Sequence, residues 1–225
     1  MAKINGIPMI ERVWKQGINS KIGDVYVACC EDEVFDLISS KGGKAIMTDP
    51  NLPSGTDRVF AAFNLLDNKD EYESIINLQG DMPLIDSINI QSVNIPLENG
   101  YDIGTIATEI SNEEEKNENI TKVSIDWKEA DVVGNSLDFY KFSTKQSSNI
   151  YQHVGIYSFK PIALRKFVSL PPSKNEIDRK LEQLRAIDAG IKIGITYVEN
   201  VPISVDTLED LILIENILNN RDENK

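Results

Sequence analysis

Hydrophobic and polar positions in the first third of the chain alternate between two spacings. In residues 7–16, Ile7, Ile10, Val13 and Trp14 fall on one stripe and predict a helix with Pro8 in its first turn. Residues 24–30 carry Val25, Tyr26, Val27 and Ala28 in one run and predict a strand. Helical spacing returns in residues 32–41 through Val34, Phe35, Leu37 and Ile38, and Gly42-Gly43 ends that helix. A short strand at 44–48, a polar loop at 49–55 with two prolines, a helix at 56–66 and an apolar run at 74–78 complete the series. Strand and helix in alternation, joined by short connections, imply a parallel sheet with helices on its faces.

The rhythm changes after Asp86. A helix runs to about Ile95, where Pro96 stops it, and residues 102–110 alternate as a strand. Residues 111–119 hold Glu113, Glu114, Glu115 and Glu118 with almost nothing apolar, which reads as a solvated helix or loop rather than a metal site. Strands at 122–126, 137–143 and 152–159 follow without intervening helices, an antiparallel excursion of the lid or dimerisation type at about 120–160. Helices at 161–168 and 178–189, a strand at 192–198, a short one at 203–205, a helix at 207–218 and a frayed end at 219–225 close the chain. No internal repeat or linker interrupts it, so residues 1–225 read as a single domain.

Composition narrows the function. The formal net charge is -13 and the pI about 4.6, which disfavours nucleic-acid and anionic-membrane partners. An acidic chain that handles phosphorylated or carboxylated substrates has to gather its few cations locally or recruit a metal. Cys29 and Cys30 are adjacent, so on a strand they point to opposite faces and do not pair; a reduced, cytoplasmic setting fits. No apolar run is long enough to span a membrane.

Five stretches carry candidate chemistry. Asn77-Leu78-Gln79-Gly80-Asp81-Met82-Pro83 leaves the apolar run through a tight turn, which puts Asp81 at the carboxyl end of a strand. There Asp81 either holds a divalent cation on nucleotide phosphates or hydrogen-bonds its own turn. Ser54-Gly55-Thr56-Asp57-Arg58 opens a helix, either as an anion site with Arg58 as its cation or as a plain capping box of Ser54 with Asp57. Val205-Asp206-Thr207-Leu208-Glu209-Asp210 opens the last helix. Asp206 or Thr207 caps that helix, Glu209 completing a box with Asp206, and Asp206 is also a candidate second carboxylate for the metal, the two roles not being exclusive. His153 is the only histidine, beside apolar residues, and no Gly-x-Ser-x-Gly elbow supports a triad built on it. In Leu181-Glu182-Gln183-Leu184-Arg185 the leucines face a core, and Glu182 and Gln183 read as solvent-side residues of a helix.

Together and in this order these stretches resemble the CMP-Kdo synthetases, the 3-deoxy-manno-octulosonate cytidylyltransferases. Asn5-Gly6-Ile7-Pro8-Met9-Ile10 is similar to that family's NGKPMI, 54–58 to SGTER or SGTDR, and 78–83 to VQGDEP. Residues 153–157 are similar to HIGIY, 181–185 match LEQLR, and 205–211 are similar to VDTPEDL. The resemblance covers nearly the whole chain. It implies an α/β fold, a Rossmann-like nucleotidyltransferase mixed sheet with helices on both faces and an antiparallel dimerisation excursion. The implied reaction is attack of a sugar-acid hydroxyl on the α-phosphate of CTP with release of pyrophosphate, in lipopolysaccharide biosynthesis, by a homodimer that uses Mg²⁺. By the same resemblance Asp81 and Asp206 hold the metal. Ser54, Gly55, Thr56, Gln79 and the catalytic Arg58 contact the nucleotide or the sugar near it, and His153, Tyr157, Glu182 and Gln183 hold the sugar acid.

Three departures from the family pattern bear on this. The family's opening strand and basic phosphate loop have no counterpart before Met1, so the expectation is a reading frame that starts further upstream and weak turnover for the chain as written. Met82 and Arg179 stand where the family carries acids. An arginine-bearing stretch is shortened to residues 139–148, without arginine. All but the first touch the sugar side. A different ulosonic acid, such as an amino-substituted Kdo, and a catalytically silent binding module therefore remain alternatives.

Overall fold

The computed structural model describes residues 1–127, 132–142, 149–201 and 203–223, the side chains of 221–223 excepted. In chain order the elements are β1 (Lys3–Ile4), β2 (Ile7–Pro8), α1 (Met9–Ser20), β3 (Tyr26–Cys29), α2 (Asp32–Ser40), β4 (Lys44–Met47) and α3 (Gly55–Asn64). Then come β5 (Ile75–Asn77), α4 (Ser87–Ser92), α5 (Ile95–Glu98), β6 (Ile103–Thr108), β7 (Lys122–Asp126), β8 (Val133–Tyr140) and β9 (Ile150–Phe159). The chain closes with α6 (Pro161–Ser169), α7 (Lys174–Arg179), α8 (Leu184–Asp188), β10 (Ile193–Tyr197) and α9 (Leu208–Glu223). Its contacts group into two compact units, one of residues 1–65, 78–90 and 202–225, the other of residues 66–77 and 91–201.

The first unit opens on a hairpin rather than directly on a helix. Asn5 and Gly6 both take positive φ (47° and 76°), the geometry of a two-residue Asn-Gly turn, and Ile4 pairs with Ile7 across it. Pro8 stays extended just ahead of α1, so the helix starts two residues later than the apolar stripe suggests. Backbone N–H of Asn5 donates to Glu215 of α9 at 2.8 Å. β3 and β4 pair in parallel, and Val27, Cys29, Ile38, Phe63 and Ile214 are buried. Cys29 is buried and both cysteines are free.

The second unit holds a six-stranded mixed sheet in the order β5-β9-β6-β10-β8-β7, with β7 also paired to β9. The five strands β9, β6, β10, β8 and β7 thereby close a ring of pairings. Only β6–β10 is parallel. β6, Ile-Gly-Thr-Ile-Ala-Thr, is buried at every position, and Ile106, Ile125, Phe139, Ile156 and Ile195 line the core without exposure above 1%.

Five expectations change. β5 pairs only with β9, antiparallel, and β3–β4 form their own ladder, so the predicted single parallel sheet through these three strands is not what forms. Pro96 sits in the first turn of α5 instead of ending the preceding helix, because its missing N–H is harmless there. The predicted helix at 178–189 is two helices, broken where Lys180 takes a left-handed conformation (φ 56°, ψ 46°). No strand forms at 203–205, and α9 extends to Glu223 instead of fraying at 219. Among the stretches read from sequence, Ser143 of the 137–143 strand, part of the shortened 139–148 stretch, and the last two residues of the chain lie outside the described residues. The acidic 111–119 run forms one 3₁₀ turn, Glu114–Lys116, with no buried residue.

Candidate active site

In the first unit the turn after Leu78 and the start of α9 meet through the backbone. Val205 N–H donates to the Asp81 carbonyl at 2.8 Å, which brings Asp206 beside Asp81. Asp81 Oδ1 is buried and has no hydrogen-bond partner among the described residues. Burial pushes the Asp81 carboxyl above the usual carboxylate range. A backbone hydrogen bond within Asp81 pulls the other way, and the charge of Asp206 adds to the rise. An orphaned, buried carboxylate oxygen next to a second carboxylate is what a divalent cation would satisfy, so the donor set fits Mg²⁺. Among the described residues no group of three or more His, Cys, Asp or Glu side chains is assembled for a metal. The remaining ligands would be phosphate oxygens and water, the usual environment of Mg²⁺ on a nucleotide.

Asp206 is not the cap of α9. That role belongs to Thr207, whose hydroxyl accepts from Asp210 N–H at 3.2 Å, while Asp210 Oδ2 accepts from Thr207 N–H at 2.8 Å. Of the two caps that the sequence allowed, Thr207 is the one that forms, and the box pairs it with Asp210 in place of Asp206 with Glu209. The Asp206 carboxylate is left exposed and, among the described residues, receives only the Ser204 hydroxyl at 3.2 Å.

At the start of α3 the capping role is real. Ser54 is the N-cap, accepting from Asp57 N–H at 3.1 Å and donating to the Asp57 carboxylate at 2.7 Å. Gly55 is exposed and Thr56 buried in the first turn of a ten-residue helix, where backbone N–H groups carry the positive end of the dipole. Arg58 Nη1 donates to Thr48 Oγ1 at 2.6 Å and to the Asp49 carbonyl at 3.3 Å, which braces the guanidinium against the loop after β4. Gln79 is exposed in the turn before Asp81.

The second unit gathers the remaining candidates. β6 and β9 change register between Thr105 and Ile106: Thr105 faces Tyr157 while Ile106 faces Val154, so Gly155 and Ile156 form a bulge. Four residues of unbroken strand would separate residues 153 and 157 by about 13 Å. Across the bulge the rings of His153 and Tyr157 lie 5.4 Å apart. Phe139 meets His153 edge-on at 5.1 Å. Burial pushes the His153 imidazole down to about 3, so it is neutral at physiological pH. Burial first, and the nearby Glu182 charge second, push the Tyr157 phenol well above its ordinary value. Glu182 and Gln183 are not solvent-side residues of a helix. They occupy the turn between α7 and α8, Gln183 is 9% exposed, and Glu182 Oε1 lies 3.9 Å from Arg185 Nη2.

Arg185 and Thr105 carry structural weight that sequence reasoning missed. Arg185 binds Glu176 through Nε at 2.8 Å and Nη2 at 2.5 Å, and lies 4.8 Å over the Phe167 ring. Thr105 is a hydroxyl in the middle of a fully buried strand, and that isolated polar residue was the available signal. Arg179, unusual for the family pattern, pairs with Asp138 at 2.7 and 2.9 Å.

The cytidylyltransferase family pattern matches residues 1–193. The 3-deoxy-manno-octulosonate cytidylyltransferase of Paramagnetospirillum magneticum is 42% identical over 214 residues, 94% of this chain and 87% of that protein. The protein of the same name from Rickettsia rickettsii is 42% identical over 92% of this chain and 85% of its own length. A solved structure of CMP:2-keto-3-deoxy-manno-octonic acid synthetase complexed with CTP superposes with a TM-score of 0.87 at 27% identity, covering 98% of this chain and 91% of that one.

Proposed function

Because the chain belongs to the cytidylyltransferase family, in the group of the 3-deoxy-manno-octulosonate cytidylyltransferases, we propose that it couples CTP and Kdo to give CMP-Kdo and pyrophosphate. The observation that carries this reading is the buried, unpartnered Oδ1 of Asp81 held next to Asp206. A divalent cation bound by those two carboxylates would neutralise the triphosphate and the leaving pyrophosphate. Asp81 and Asp206 are its protein ligands, and Mg²⁺ is the ion that two carboxylates with phosphate oxygens suit.

The first turn of α3 offers the backbone N–H groups of Gly55 and Thr56 to an anionic group of the nucleotide, with Ser54 shaping the turn. Arg58 supplies positive charge in a chain that has little of it, and Gln79 offers an amide to the nucleotide. His153, Tyr157, Glu182 and Gln183 hold the acidic sugar. The 120–160 excursion serves a homodimer, and the enzyme works in the cytoplasm. No helix among the described residues is long and apolar enough to cross a membrane.

Pyrophosphate release tests the reaction. Release that requires CTP, Mg²⁺ and Kdo together is expected. Release with another ulosonic acid but not Kdo would replace the substrate, and no release with any sugar acid would overturn the reading.

A further inference from the structure

At the bulge between β6 and β9, Thr105 meets two backbone carbonyls through its side chain. Its hydroxyl lies 2.8 Å from the Ile156 carbonyl and 3.2 Å from the Val154 carbonyl. The same oxygen lies 3.0 Å from His153 Nε2. A hydroxyl has one hydrogen and two lone pairs. Carbonyl oxygens only accept, so at 2.8 Å the Thr105 hydrogen must be directed to the backbone. Were it turned to His153 instead, two carbonyl oxygens would face the lone pairs of Oγ1 with no hydrogen between them. Nε2 must therefore be the donor in its contact with Thr105, and the neutral ring then carries its hydrogen on Nε2. Among the described residues, Nδ1 has no hydrogen-bond partner. Among the described residues, the rings packed against the imidazole are those of Phe139 and Tyr157, and its lowered basicity comes from burial.

We propose that Thr105 is a positioning residue that fixes His153 as the Nε2–H tautomer, so that the imidazole meets the acidic sugar as a hydrogen-bond acceptor through Nδ1. The group it recognises is then a sugar hydroxyl and not the carboxylate. This rests on the assignment of His153 to the sugar site made above. It adds a polarity to that site: the histidine selects a donor, and the sugar's negative charge has to be met elsewhere. A histidine kept neutral by burial, with one nitrogen already spent, cannot serve as a cation for the carboxylate.

The chain has one histidine, so its imidazole nitrogens can be read without ambiguity in ¹⁵N-labelled protein. Long-range ¹H–¹⁵N correlation should show Nε2 as the protonated, pyrrole-type nitrogen and Nδ1 as the bare, pyridine-type one, unchanged between pH 8 and pH 5. Thr105→Ser should keep that pattern, and Thr105→Val should lose it. The Val change should also raise KM for Kdo by about tenfold, the equivalent of one hydrogen bond, with little effect on KM for CTP. A wild-type spectrum with the hydrogen on Nδ1, or an imidazolium titrating near the ordinary histidine value, overturns the proposal even if Thr105→Val fails to fold. A retained tautomer in soluble Thr105→Val also overturns it. Absence of Kdo turnover in wild-type protein counts against the proposed reaction and not against the tautomer, which the spectrum decides by itself.

Discussion

Replacing Arg185 by Met should destabilise the protein by about 3–5 kcal/mol, the cost of leaving a buried charge without its partner. Glu176 and Arg185 side chains are 12% and 9% exposed, and their contact is two-pronged at 2.8 and 2.5 Å. Met keeps the contact with Phe167 through its own stem, so the loss isolates the charge rather than the packing. What remains is Glu176 with no cation, held in place by its role in the capping box of α7. In a chain of this size about 1 kcal/mol moves Tm by roughly 2–4 °C, so a drop of about 6–20 °C is expected by differential scanning calorimetry at pH 7. The pH dependence has a definite sign. Burial pushes the Glu176 carboxyl up, but the hydrogen bonds from Arg185 and the Ser173 backbone outweigh it, and the folded value lies below the ordinary one. The pair therefore contributes stability above the unfolded glutamate value of about 4.3, and that contribution is lost as pH falls through the lowered folded value. In Arg185→Met burial acts with only the Ser173 bond against it, so protonation relieves the variant and its deficit should shrink between pH 7 and pH 4. The double variant Arg185→Met/Glu176→Met removes both charges and should lose less than the single one. A deficit below about 1 kcal/mol, or one equally large at pH 4 and pH 7, would refute the reasoning.

Three more outcomes are expected. Asp81→Asn or Asp206→Asn should abolish pyrophosphate release while leaving the circular-dichroism spectrum intact; near-normal turnover in either would remove that residue from the metal site. Thr207→Ala should cost about 1 kcal/mol of stability through the lost cap while retaining turnover, whereas Asp206→Asn should leave Tm nearly unchanged, so calorimetry of the two variants separates cap from ligand. Gly104→Ala should be strongly destabilised, by about 1–3 kcal/mol or more in a urea titration, because the added Cβ would run into the Val93 carbonyl and the Ser158 hydroxyl.

Local pattern was enough for most elements and for the family. The apolar stripes at 7–16 and 32–41, the strands at 122–126 and 192–198 and the cap at Ser54 all depend on neighbours within a few residues, and the sequence states those neighbours directly, to within a few residues at the ends. The order of six short motifs carried the reaction class. Pairing partners were another matter. Nothing local to Ile75-Ile76-Asn77 says that it lies antiparallel to β9, since ladder partners come from distant parts of the chain. Lys180 could have continued a helix by propensity, yet it turns left-handed and puts Glu182 and Gln183 into a half-buried turn. Spacing left both Asp206 and Thr207 open as the α9 cap; the fold uses Thr207 with Asp210, which leaves the Asp206 carboxylate to the Ser204 hydroxyl. The bulge at Gly155-Ile156 was invisible for the same reason: it is a mismatch between two strands about fifty residues apart, and only their pairing brings Thr105, His153 and Tyr157 together. Side-chain identity was written in the sequence; burial, partner and protonation state belong to the assembled fold, because each is set by atoms that are near in space and far along the chain.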